Sequence, residues 1–116
     1  MSEIWINLCK EDDLVPGSGV CALLEQAGGA EQVALFQESP QGPVYALSNY
    51  DPLGDAYVLS RGIIGSVGER LVVASPLYKQ HFCLQSGQCL EDDTVSVKAW
   101  PARIASGTVQ IQLGGA

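Results

Sequence analysis

Four cysteines and one histidine are the side chains in this 116-residue chain best suited to metal or nucleophilic chemistry: Cys9, Cys21, Cys83, Cys89 and His81. His81 and Cys83 are two apart, so on a strand they share a face. Cys89 follows one turn later. A His-x-Cys…Cys zinc site with Cys9 or Cys21 as fourth ligand is therefore conceivable, although the paired short spacings of zinc modules are missing. Against it stands the ordinary behaviour of cysteine as a small core hydrophobe. Any Ser–His or Cys–His nucleophile must use His81, and no residue pattern supplies an orienting acid. The chain has no Gly-x-Ser-x-Gly elbow and no phosphate-binding Gly-x-x-x-x-Gly-Lys run, and Gly62-Ile63-Ile64-Gly65 lacks the spacing of a dinucleotide fingerprint. The carboxylates are scattered through turns, so a glycosidase-type pair is unsupported. Read from its residues alone, the chain is a binding or structural module.

Composition narrows the partners. The net charge is -7, from 13 acidic and 6 basic residues, which argues against nucleic acid, whose affinity comes from lysine and arginine on phosphates, and against an anionic membrane surface. Hydrophobic residues make up 47%, enough for a core in one domain spanning residues 1–116. No apolar run is long enough to span a bilayer. Met-Ser-Glu-Ile-Trp-Ile-Asn does not look like an export signal, so a cytoplasmic protein with reduced thiols is expected.

The elements that would carry these residues read as strands. Ile4, Ile6 and Leu8 alternate with Trp5, Asn7 and Cys9. A charged stretch (Lys10–Asp13) and Pro16-Gly17-Ser18-Gly19 follow as loop. Val20–Ala27 fits either a helix ending before Gly28 or a strand. Glu31–Gln37 reads as a buried strand, with Val33 and Leu35 on one side and Ala34 and Phe36 on the other. Ser39–Pro43 is a turn, and Val44–Ser48 returns as the second half of a hairpin. Gly62, Gly65 and Gly68 suggest tight turns with short strands between them. Leu71–Ala74 is expected to be buried on both faces, and His81–Leu84 to be another strand. Thr94–Ala99 alternates, with Val95, Val97 and Ala99 inward, and Pro101 limits it. Val109, Ile111 and Leu113 form the last strand. Short strands with frequent turns give an all-β sandwich or partial barrel.

Two stretches share a design. Asn49–Gly62 and Val73–Gly87 each place a small polar residue before proline at a strand end (Asp51-Pro52, Ser75-Pro76), and each closes on glycine. The runs Ala46-Leu47-Ser48-Asn49-Tyr50-Asp51-Pro52, Val58–Gly65, Val73–Phe82 and Gly87-Gln88-Cys89-Leu90-Glu91-Asp92 resemble a Rieske iron–sulfur domain, and more closely the small subunit of assimilatory NAD(P)H-dependent nitrite reductase. The Trp5 strand and Asp13–Gly17 fit as well, so the resemblance covers nearly the whole chain, and it favours a strand over Val20–Ala27.

The resemblance implies an antiparallel fold with two loops facing each other at one end. A cluster-bearing Rieske domain supplies Cys-x-His from one loop and Cys-x-x-His from the other, two thiolates on one iron and two imidazoles on the other. Laid on this chain, those four positions fall on Asp51, Leu53, Ser75 and Tyr78. All four ligands are missing, while Pro52, Pro76, Phe82 and Gly87 match. Only one histidine is present, so a conventional Rieske cluster is excluded by stoichiometry. The resemblance further implies a large catalytic partner carrying FAD, sirohaem and an iron–sulfur cluster, in which NAD(P)H reduces nitrite to ammonium, with no cofactor in this chain. Tyr50, Leu53, Tyr57, Arg61, Leu77, Tyr78, Lys79 and His81 are the candidate docking residues, since tyrosine and arginine are enriched at interface hot spots. The other reading of the same tyrosines is a local core filling the place of a cluster. Readings of other classes are an electron carrier with an atypical iron centre, and a zinc-binding or general interaction domain.

Overall fold

The computed structural model describes residues 4–26, 28–77 and 79–113. Among these residues the regular elements are twelve strands and two 3-10 turns, with no α-helix. The strands are β1 (Ile4–Lys10), β2 (Ser18–Gln26), β3 (Gly29–Gln37), β4 (Val44–Ser48), β5 (Tyr50–Asp51), β6 (Ala56–Tyr57), β7 (Ile63–Val67), β8 (Arg70–Ala74), β9 (His81–Cys83), β10 (Ala99–Trp100), β11 (Ala102–Ala105) and β12 (Thr108–Leu113).

A four-stranded sheet, β10-β4-β3-β2, forms the middle layer. Its β3 has Val33, Ala34, Leu35 and Phe36 all at 0% exposure. Consecutive strand residues point to opposite faces, so four buried residues in a row require cover on both sides. One face packs Val33 and Leu35 with Leu24, Val44, Ala46 and Trp100 against Val109 and Ile111 of β12, in the sheet β1-β12-β11. The other packs Ala34, Phe36 and Leu47 against Val73 of β8 and Phe82 of β9, with Leu59, Leu84, Cys89 and Val97. Those strands belong to the sheet β7-β8-β9. All strand pairs are antiparallel. Each fully buried large apolar side chain contributes about 1.5–3 kcal/mol, and the two clusters together bind three layers.

The ambiguous Val20–Ala27 stretch resolves as strand through Gln26; Ala27 lies outside the described residues. Nine consecutive β2 residues pair with β3, from Ser18 opposite Gln37 to Gln26 opposite Gly29. Val20, Ala22 and Leu24 face the first core cluster, while Leu23 is 58% exposed. A helix would have put Leu23 and Leu24 on one stripe; the period of two separates them. Val72 and Val73 are both buried, as expected for β8.

Two local expectations are corrected, and one strand, β11, had no counterpart among them. Gly65 is not a turn, because β7 runs unbroken through it opposite Val72; Gly62 closes the 3-10 turn Leu59–Arg61, and Gly68, at φ +61, turns the chain between β7 and β8. Thr94–Lys98 is not a regular strand. It keeps the in–out alternation but makes one bridge, Gln88 to Ser96, plus Val97 N–H to the Gly87 carbonyl at 2.8 Å and Ser48 N–H to the Lys98 carbonyl at 2.8 Å. It divides its backbone bonds between two neighbours, so no ladder develops before β10. Strand β11, without a marked alternation in sequence, forms by pairing with β12 after Pro101 ends β10.

Candidate functional site

The two proline-bearing loops meet at one end of the molecule. Loop one, Asp51–Asp55, joins β5 to β6; loop two, Ser75–Gln80, joins β8 to β9. Their base is fixed by Asn49, which is buried at 2% exposure. Its backbone N–H donates to the Gln32 carbonyl at 3.0 Å and its carbonyl accepts from Leu59 N–H at 3.1 Å. Its side-chain Nδ2 donates to Gln32 Oε1 at 2.9 Å and its Oδ1 accepts from Ser60 N–H at 2.7 Å. Asn49 thus ties loop one to β3 and to the 3-10 turn Leu59–Arg61. The sequence marked Asn49 only as the start of the Asn49–Gly62 stretch; its role as a buried anchor was not legible there.

The loops are joined by Asp51 and Ser75. The Ser75 hydroxyl donates to Asp51 Oδ2 at 2.5 Å, and the two residues are 0% and 1% exposed. Asp51 Oδ1 also accepts from Leu53 N–H at 2.9 Å and Gly54 N–H at 3.2 Å, an Asx-type closure of loop one. In loop two, Ser75 N–H donates to the Gln80 carbonyl at 2.9 Å and Lys79 N–H to the Ser75 carbonyl at 3.0 Å. Gly54 leaves room for Leu77 to pack on loop one: a Cβ there would lie 2.4 Å from Leu77 Cδ1 and 3.1 Å from Asp51 Oδ2, so the leucine would have to shift. Among the described residues, the non-glycine positions in left-handed backbone include one in each loop, Asp55 at φ 52 and Lys79 at φ 63.

The remaining candidates separate by exposure. Leu53, Tyr57, Arg61, Leu77 and Lys79 are exposed. Tyr50 is half-buried; its ring packs on Tyr57 with centroids 5.1 Å apart. Its hydroxyl donates to Asp55, a bond that, with some burial, raises its pKa above the usual tyrosine value. Tyr50 and Tyr57 line one wall of an open groove of about 590 Å³, shared with Leu23, Gln32 and Ser48. Tyr78 lies outside the described residues. One residue not singled out from the sequence joins this end: Ile63, 77% exposed, pairs with Ala74 just before loop two. The sequence signal was the Ile63-Ile64 pair on a strand, of which only Ile64 packs against the core.

His81 is partnered by Glu91. Its backbone N–H donates to Glu91 Oε1 at 2.8 Å and its Nδ1 lies 2.6 Å from Oε2. The His81 backbone bond foremost, with the ring contact and its charge, holds the Glu91 carboxyl below the ordinary carboxylate range despite opposing desolvation. All four cysteines are free thiols. Cys89 sits in the second core cluster, whereas Cys83 borders a shallow hollow with Tyr45, Glu69, Arg70, Leu71 and Gln85. The zinc constellation is not assembled: among the described residues no three His, Cys, Asp or Glu side chains are grouped to take a metal.

The chain matches the family described as Rieske-like [2Fe-2S] domain over residues 4–112. It is 50% identical over 108 residues to the nitrite reductase (NADH) small subunit of Salmonella typhimurium, covering 93% of this chain and 96% of that one. The NMR structure of the E. coli protein NirD superposes with a TM-score of 0.84 at 46% identity, over 99% of this chain and 100% of that one. This chain belongs to the nitrite reductase small-subunit family of Rieske-like domains. A ferredoxin of carbazole 1,9a-dioxygenase from Nocardioides aromaticivorans, 21% identical with a TM-score of 0.72 over 92% of this chain and 95% of that one, shares the fold. A nitrite reductase [NAD(P)H] large subunit from Klebsiella oxytoca contains a stretch 38% identical to 95% of this chain, amounting to 11% of its own length.

The family's cluster does not fit the residues present. Its description names a 2Fe–2S domain, and such a cluster takes two thiolates and two imidazoles. Here the hydroxyl of Ser75 and the carboxyl of Asp51, at two of the four positions that the resemblance assigns to ligands, are bonded to each other. Leu53 offers no donor at the third, and the lone histidine is bound to Glu91.

Proposed function

We propose that residues 1–116 act as one domain, the non-catalytic small subunit of a cytoplasmic NAD(P)H-dependent nitrite reductase, docking on the large subunit through the end that carries the two loops. In this reading the large subunit holds FAD, sirohaem and an iron–sulfur cluster and reduces nitrite to ammonium, while this chain supports it. The observation that carries the reading is the exposure of Leu53 and Leu77, at 36% and 46%, on loops tied together from within, and of Tyr57, at 57%, on the strand β6 that follows loop one. Large apolar side chains gathered at one surface are informative in a way that scattered ones are not. Arg61 and Lys79 flank them, and Ile63 extends the apolar area along β7. The Klebsiella oxytoca chain supports the partner assignment, since a domain like this one is there part of a large-subunit polypeptide.

Replacing Tyr57 and Leu77 together by alanine tests the proposal. Both are exposed, so the fold should persist. Hot-spot truncation costs about 1.4 kcal/mol or more, a tenfold or greater loss of affinity. The expected result is weaker association with the large subunit and less stimulation of nitrite-dependent NADH oxidation at a fixed subunit ratio. Parent-like binding by this double variant would move the interface elsewhere.

A further inference from the structure

We infer that Asp51 and Ser75 form a latch that does without metal what a cluster does in related folds: it joins the two loops and sets their shape. The resemblance places the two ligand cysteines at these positions, where both sulfurs would grip one iron. Here the bridge is direct, Ser75 Oγ to Asp51 Oδ2 at 2.5 Å.

Each partner also organises its own loop. The Asp51 carboxyl accepts from Leu53 and Gly54 N–H; the Ser75 hydroxyl accepts from Leu77 N–H at 3.3 Å, and its carbonyl accepts from Lys79 N–H. The pair is fully buried, and an unpaired polar group there is unfavourable. Pulling the loops apart would strip both partners at once. The latch also seats Leu77 over Gly54, where a single Cβ would meet its Cδ1 at 2.4 Å. Three backbone amides, of Leu53, Gly54 and Leu77, therefore report on one contact between residues 24 apart in sequence.

Amide hydrogen exchange on the purified chain tests this. The readout is the rate at those three amides relative to Val33–Phe36 in β3, a ratio that corrects for any global loss of stability. In Ser75→Ala and Asp51→Ala the ratio should rise at least tenfold. In Asp51→Asn it should stay near the parent value, since an amide oxygen can accept from the loop N–H groups while its NH2 donates to the Ser75 hydroxyl. A parent-like ratio in Ser75→Ala overturns the latch, and so does a ratio raised in Asp51→Asn as far as in Asp51→Ala. The role of the latch in presenting the docking end rests on the function proposed above. Large-subunit binding by the same variants separates the two ideas: loosened loops with unchanged affinity keep the latch and remove its role in docking.

Discussion

Glu91 shows how a surface carboxylate can be tied to a single loop. Both of its oxygens face His81, one on the backbone N–H and one on Nδ1, at the point where loop two enters β9. Its pKa is depressed in the folded chain, first by the backbone bond. A depressed carboxyl adds stability that is present above its unfolded pKa and is lost as pH falls through the folded value. The contribution should therefore fade on acidification below about pH 4.5, near the ordinary glutamate pKa. The side chain is 46% exposed, so screening keeps the effect under about 1 kcal/mol. Glu91→Gln should lower thermal stability slightly at neutral pH, and its difference from the parent should shrink as pH falls from about 5 to 3. Thermal melts across that range check the sign; a difference that grows toward acid would contradict it.

At the scale of elements, the loops depend on how the second face of the middle sheet is closed. Gly87 is the tightest point there: its φ is +80, and a Cβ would lie 2.1 Å from the Val97 carbonyl oxygen. That oxygen is backbone and cannot swing aside, and left-handed φ disfavours a side chain in any case. Gly87→Ala should therefore destabilise the fold by more than about 1 kcal/mol, with Val97 leaving the core and the Val97 N–H bond to Gly87 lost first; a denaturant titration and the Val97 amide signal measure both. The sequence carried much of this layer. The alternation Val33, Leu35 against Ala34, Phe36 was visible, and it meant a strand covered on both faces. What it could not carry were contacts set by distant partners. Thr94–Lys98 alternates like a strand, yet its bonding is divided between the residues around Gly87 and β4. Gly65 looks like punctuation but has an opposite strand to hold it. The facing of the two loops came from resemblance. The Asp51–Ser75 bond was legible only as two absent cysteines, because nothing local in either loop says that a hydroxyl and a carboxyl will meet.

For the whole molecule, the question is what one apolar end on an acidic body accomplishes. If that end serves attachment, covalent linkage should make its side chains dispensable, and the Klebsiella oxytoca large subunit with a domain of this kind in its own chain suggests the comparison. A short flexible linker gives an effective concentration of about 1 mM. A tip variant whose separate affinity has fallen to about 10 µM would then remain about 99% docked. Joining the Tyr57→Ala, Leu77→Ala variant to the large subunit through such a linker should therefore restore nitrite-dependent NADH oxidation to the level of the parent fusion, although the same variant added as a free chain stays deficient. Rescue assigns these side chains to holding the subunits together. If the fused variant is as impaired as the free one while sizing shows it folded, Tyr57 and Leu77 act on the large subunit after docking, by shaping or ordering the surface they touch.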